Sequence, residues 1–168
     1  MTKLTANFRK TDTAGGMDAI AILKADHQAI HEMFGEYENR IGNSQKKALL
    51  TDICTALSIH VQIEEELFYP AVQSALKNAL LVSEAVVEHE GIKRLMVEIE
   101  ALEPDDEMFD AKVKVLSEYV KHHVKEEQTE MFPQAKAAGI EMKELGERMA
   151  SRKIKLLATR ISDNAKAL

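Results

Sequence analysis

The segments His60-Val-Gln-Ile-Glu64-Glu-Glu-Leu-Phe-Tyr-Pro70 and His123-Val-Lys-Glu-Glu127-Gln-Thr-Glu-Met-Phe-Pro133 carry one device twice: a histidine, a glutamate four positions on, and a proline ten positions after the histidine. On a helix, positions four apart lie one above the other, so each histidine shares a face with its glutamate. Two shorter segments precede them, Asp26-His27-Gln-Ala-Ile30 and Glu88-His89-Glu-Gly-Ile92. His27 and His89 are 62 positions apart, and His60 and His123 are 63 apart, as in a duplicated helix pair. Such a repeat predicts approximate twofold symmetry and two similar metal half-sites.

Apolar residues extend the pattern into four helices. Ile20, Leu23, His27, Ile30, Phe34, Tyr37 and Ile41 recur in steps of three and four along one helix face. The same stepping returns as Leu50, Ile53, Leu57, His60, Glu64, Leu67 and Ala71, then as Val82, Ala85, His89, Ile92, Met96 and Ile99. The fourth stripe is Phe109, Val113, Leu116, Val120, His123 and Glu127, entered through Glu103-Pro104-Asp105-Asp106. Gly42-Asn43-Ser44 is expected to stop the first helix and cap the second, Pro70 to kink or end the second, and Pro133 to close the fourth.

Short connections imply antiparallel neighbours. The expected fold is therefore all-α, an up-down-up-down four-helix bundle. Met142, Leu145, Met149 and Leu156 mark an additional C-terminal helix over residues 141–161. The expected organisation is a flexible leader at 1–16, the bundle at 17–133 and a helical extension at 134–168. Depth agrees with this arrangement: His27 lies roughly 22 Å before the first turn and His60 roughly 24 Å after the second helix begins, at about 1.5 Å per residue.

Composition narrows the function. The 168 residues are 45% hydrophobic, enough for one sizeable core. The net charge of −6 is uneven: residues 17–133 hold 11 Lys and Arg against 23 Asp and Glu, and residues 134–168 hold 8 against 4. The acidic bundle argues against a phosphate-binding surface, and the basic extension is read as a helix docking on that bundle. No nucleic-acid or membrane partner is expected. One cysteine, Cys54, excludes an internal disulfide and a thiolate zinc site, and it is expected to be a packed, inert thiol. Without an apolar membrane span or signal region, the expected compartment is the cytoplasm.

The informative feature is a polar interruption of every apolar stripe. His27, His60, Glu64, His89, His123 and Glu127 all face the expected core. Burying imidazoles and carboxylates costs several kcal/mol unless they pair or bind a metal, and one metal centre accounts for all six. His31, one turn beyond His27, is read as a residue backing the site or lying at its solvent edge, with a fifth histidine ligand as the alternative. His122, Glu65, Glu66, Glu90 and Glu126 are expected on solvated faces.

The two His-x-x-x-Glu segments ending in Phe-Tyr-Pro and Met-Phe-Pro, with His27 and His89 ahead of them, resemble the hemerythrin and HHE cation-binding family over residues 18–133. The segment Glu144-Leu-Gly-Glu-Arg-Met-Ala-Ser-Arg-Lys153 is similar to extensions seen after bacterial members. The resemblance implies two non-haem iron ions, Fe2+ or Fe3+, bridged by solvent or oxo. His27 and His60 would hold one, His89 and His123 the other, and Glu64 and Glu127 would bridge them. Manganese or zinc suits the same donors.

Two departures separate the chain from oxygen-carrying members. Lys93 stands where those have a fifth histidine, and the last carboxylate comes at His123-x-x-x-Glu127, one residue early. The pattern is closer to iron-sensing and iron–sulfur repair branches. The resemblance therefore implies a binding protein or sensor for oxygen, nitric oxide or iron. The alternative is a redox enzyme of stress response, acting in peroxide removal or iron–sulfur repair. With two histidines on each metal, the two irons are expected to be alike, each with an open position.

Overall fold

The computed structural model describes residues 17–40, 42–76 and 80–166. Every element among them is helical, with no strand. Helix α1 (Ala19–Glu38) starts where Asp18 accepts a 2.7 Å hydrogen bond from the Ala21 N–H, a side-chain N-cap. It stops at Asn39, ahead of the expected Gly42-Asn43-Ser44 signal. Gly42 has φ +121°, a value open to glycine, and α2 begins at Asn43 without a side-chain cap, so Ser44 lies inside that helix. Ile41 and the expected leader lie outside the described residues.

Helices α2 and α4 each have three parts. In α2, Asn43–Ile63 is α-helical, Glu64–Phe68 is a π turn and Tyr69–Ala75 is α-helical again. In α4 the parts are Phe109–Glu126, Glu127–Met131 and Phe132–Ala137. The expected breaks at Pro70 and Pro133 do not occur. Each proline sits in the first turn of the segment that follows a π turn, a position where its missing N–H costs little. Helix α3 is Leu80–Glu100 and α5 is Met142–Lys166.

Contacts at the helix ends fix the direction of the bundle. Tyr37 at the end of α1 donates to Asp110 at the start of α4, and Lys47 at the start of α2 reaches the Leu102 carbonyl just after α3. Successive helices are therefore antiparallel. The interior divides into two apolar clusters. One gathers Ile30, Phe34, Ile53, Leu57, Ile92, Phe109 and Leu116 toward the α1/α2 and α3/α4 turns. The other gathers Ile20, Leu23, Phe68, Val72, Val82 and Phe132 at the opposite end.

Leu145 and Met149 of α5 join this second cluster, which settles where the fifth helix docks. Arg152 of α5 pairs with Glu66 on α2, and Lys153 is buried against Asp26 on α1. Gly146 makes the close approach possible, because a Cβ there would stand 2.5 Å from the Met17 carbonyl oxygen. No helix among the described residues is long and apolar enough to cross a membrane.

Candidate metal centre

Between the two clusters, all six residues singled out from the sequence converge, and all are buried. They form two overlapping groups able to hold a cation: His27, His60, Glu64 and Glu127, and Glu64, His89 and His123. The Nε2 atoms of His27 and His60 are 3.0 Å apart, and those of His89 and His123 are 3.1 Å apart. Glu64 spans the two pairs, with Oε1 3.3 Å from His60 Nε2 and Oε2 3.4 Å from His89 Nε2. Glu127 spans them from the other side: its Oε2 is 3.2 Å from His27 Nε2 and 3.6 Å from His123 Nε2. Donors at about 2.1 Å from one cation and at right angles to each other stand about 3 Å apart, so these spacings suit coordination.

Proton positions strengthen that reading. His89 Nδ1 lies 3.0 Å from Glu65, and His123 Nδ1 lies 2.7 Å from Glu88. A carboxylate accepts only, so each Nδ1 carries a proton and Nε2 is the nitrogen each ring turns inward. These two Nε2 atoms face each other at 3.1 Å. Both oxygens of Glu64 and Oε2 of Glu127 are buried without a hydrogen-bond donor. Lone pairs converging on one point from imidazoles and carboxylates require a proton or a cation among them.

Electrostatics around the site follow from burial. Burial, then the charge of His123, draws His89 down to about 2, which keeps it in its neutral, ligating form. Burial also lowers His60, against the opposing pull of Asp26. In His123, burial is the largest single effect and lowers the pKa, but the hydrogen bond to Glu88 and the charges of Glu127, Glu88 and Glu126 together outweigh it, and the pKa rises. Burial and the adjacent Glu127 push the Glu64 carboxyl well above the usual range. Burial acts on Glu127 in the same sense, but His27 and His123 outweigh it and hold Glu127 low.

Tyr69 also belongs to the site and was not among the expected residues. Its hydroxyl donates to Glu127 Oε1 at 3.0 Å and lies 3.2 Å from His89 Nε2 and 3.5 Å from His123 Nε2. Burial, then the charges of Glu64 and Glu127, raise this phenol well above its ordinary value, so it keeps its proton. A continuous α-helix would turn Tyr69 about 140° from Glu64. In the π turn, the Tyr69 N–H reaches back five residues to the Glu64 carbonyl, which in effect adds one residue and reduces the offset to about 40°. The usable signal was the repeat: Phe132 is the counterpart of Tyr69, and each ring stacks on one of the four converging histidines, His27 and His89 respectively. Among the described residues the two half-sites, expected to be similar, differ in one respect: the Tyr69 hydroxyl lies beside His89 and His123, and Phe132 stands at the matching place beside His27.

His31 is exposed and lies outside the groups that can hold a cation. It lines a groove of about 340 Å³ between α1 and α4, together with His27, Gln128, Lys121 and Lys125. Lys93 donates to both oxygens of Glu65 at 2.7 Å, so it supports the residue behind His89. Glu65 and Glu126 were expected on solvated faces, but both are only partly exposed, and Glu65 serves the site. Cys54 is buried, and burial pushes its thiol up to about 12, an inert state.

Comparison with known proteins agrees with this geometry. The family model of the Hemerythrin HHE cation binding domain matches residues 18–135. The solved structure of a Hemerythrin HHE cation binding domain-containing protein from Mycobacterium kansasii is 25% identical and superposes with a TM-score of 0.76, covering 87% of this chain and 91% of that one. A DNA nickase from Nostoc sp. is 27% identical over 111 residues, 66% of this chain. That match spans 31% of the nickase's own length.

Proposed function

The chain belongs to the hemerythrin HHE cation-binding family, and from that premise we propose that it holds two iron ions and binds or senses oxygen or nitric oxide at them. His27 and His60 would hold one ion, His89 and His123 the other, with Glu64 and Glu127 between. The observation that carries the reading is the convergence of four Nε2 atoms on three carboxylate oxygens that lack any hydrogen-bond donor. Ferrous ions, when bound, supply open positions for a small ligand and electrons to reduce it.

The chain's own residues supply the remainder. Glu65 and Glu88 fix the tautomers of His89 and His123. The flanking apolar clusters exclude water, and the groove beside His27 gives a small molecule an approach. The proposal includes no nucleic-acid substrate. The matched nickase is about three times the length of the matched segment, and the bundle's excess of carboxylates repels phosphate.

Iron-loaded protein is expected to contain about two irons per chain, and the anaerobically reduced form to change its absorption spectrum on addition of nitric oxide. A reproducible single zinc with no iron uptake would overturn the reading. Tyr69 favours a second reading, a redox enzyme that removes peroxide, because its hydroxyl holds a proton 3.0 Å from Glu127. Under that reading Tyr69→Phe keeps both irons and slows peroxide consumption by about a hundred-fold, the scale of a positioned general acid. An unchanged rate would remove the support for it.

A further inference from the structure

Asp26 and Glu88 are counterparts in the repeat, and each turns one oxygen toward the Nδ1 of a ligand histidine: Asp26 Oδ2 toward His60 at 3.6 Å, Glu88 Oε2 toward His123 at 2.7 Å. Their second oxygens differ. Asp26 Oδ1 receives the buried ammonium of Lys153 from α5. Glu88 Oε1 instead faces the exposed ring of His122, whose Nε2 is 3.4 Å away. That same Nε2 is 3.2 Å from Glu126 Oε1, one turn along α4. A positive charge completes the carboxylate in one half of the molecule, and in the other half a histidine and a second carboxylate surround the corresponding place.

We propose that Glu88, His122 and Glu126 form an outer metal site for one labile divalent cation of the zinc or ferrous class. The three donor atoms lie within 4.8 Å of one another. Bonds of about 2.0–2.1 Å in a tetrahedron put neighbouring donors about 3.3 Å apart, which matches both spacings around His122 Nε2. His122 and Glu126 clamp from one face of α4, and Glu88 closes the set from α3, held in place by its bond to His123. The His122 side chain is 65% exposed, which leaves the fourth position to water.

The site is separate from the inner centre but linked to it through the two oxygens of Glu88. A cation on Oε1 draws charge from the carboxylate that accepts from His123, so occupancy of either site alters affinity at the other by the same factor.

The test is zinc uptake by full-length protein whose inner centre has been filled with iron and assayed. Equilibrium dialysis against zinc should give one additional zinc per chain in the wild type. His122→Ala and Glu126→Gln should each weaken that binding by about ten-fold or more, while Glu90→Gln leaves it unchanged. The reading is the difference between wild type and variant, so it stands apart from the identity of the inner metal. Melting curves confirm that the variants are folded, and Glu126→Gln gives the same reading if His122→Ala is not. The proposal fails if wild type takes up no additional zinc, or if both variants retain it.

Discussion

The α1/α2 half and the α3/α4 half of the centre present the same donor residues in the same order, yet they are backed by different chemistry. Behind His89 stands a carboxylate, Glu65, and at the matching place behind His27 stands the amide of Gln128, 3.1 Å from Nδ1. Behind His60 the acid is buried with a lysine, and behind His123 it opens toward solvent and His122. Tyr69 offers a hydroxyl where Phe132 offers none. Four imidazoles and two spanning carboxylates meet at one depth, as the proposed two-cation centre requires. The residues behind the donors set basicity and polarity, and there the halves have diverged.

The largest effects should come from the parts the halves share. Glu64→Ala and Glu127→Ala each remove a carboxylate that touches both histidine pairs, so each should lose metal from both halves, whereas Glu65→Ala should keep two cations. Elemental analysis reads this directly. Equal loss from Glu65→Ala would mean that the spanning role has been misassigned. Chelation should also destabilise the fold, since stripped ligands face each other in an apolar interior. Each cation held at a thousand times its dissociation constant contributes about 4 kcal/mol, so removing both should lower the melting temperature by about 20 °C.

What the sequence disclosed follows the same division. The convergence of the six residues was legible because each broke an apolar stripe at a position fixed by the repeat, and helix periodicity carries that information directly. Tyr69 was hidden because its facing depends on the π turn at Glu64–Phe68, which shifts the phase by one residue. The same turns explain why Pro70 and Pro133 failed to end their helices. Lys153 was hidden for another reason. The periodicity of α5 marks Leu145 and Met149 as inward, but only its docking on α1 shows that Lys153 meets Asp26.

That docking gives the next prediction, a contrast between two lysines that each support an acid behind the centre. Lys153 is 4% exposed and Asp26 is buried with it, so Lys153→Ala leaves a buried carboxylate without its cation. Such a loss costs about 3–5 kcal/mol, or about 10 °C in melting temperature. Lys93, 44% exposed at its side chain, supports Glu65 at the surface, and Lys93→Ala should cost under about 1 kcal/mol. Thermal melts of the two variants test the contrast. Similar small losses would show that α5 is not an integral part of the first half.

The smallest effect should come from exchanging the residues behind His27 and His89. An anionic acceptor on Nδ1 raises the basicity of the ring's other nitrogen, and partners of this kind change metal affinity by about 10–100-fold. Gln128→Glu should therefore tighten the first half, and Glu65→Gln should loosen the second. Both shifts belong at the low end, about ten-fold, because the charge on Glu65 is already shared with Lys93 at 2.7 Å from each oxygen. Competition against a chelator of known affinity reads the change in each half, since the weaker cation leaves first. Gln128→Glu should narrow the gap between the two steps, bringing the halves toward equivalence. If both exchanges weaken binding to the same extent, the backing residues act by position and not by charge, and the chemical difference between the halves has to lie with Tyr69 and Phe132 instead.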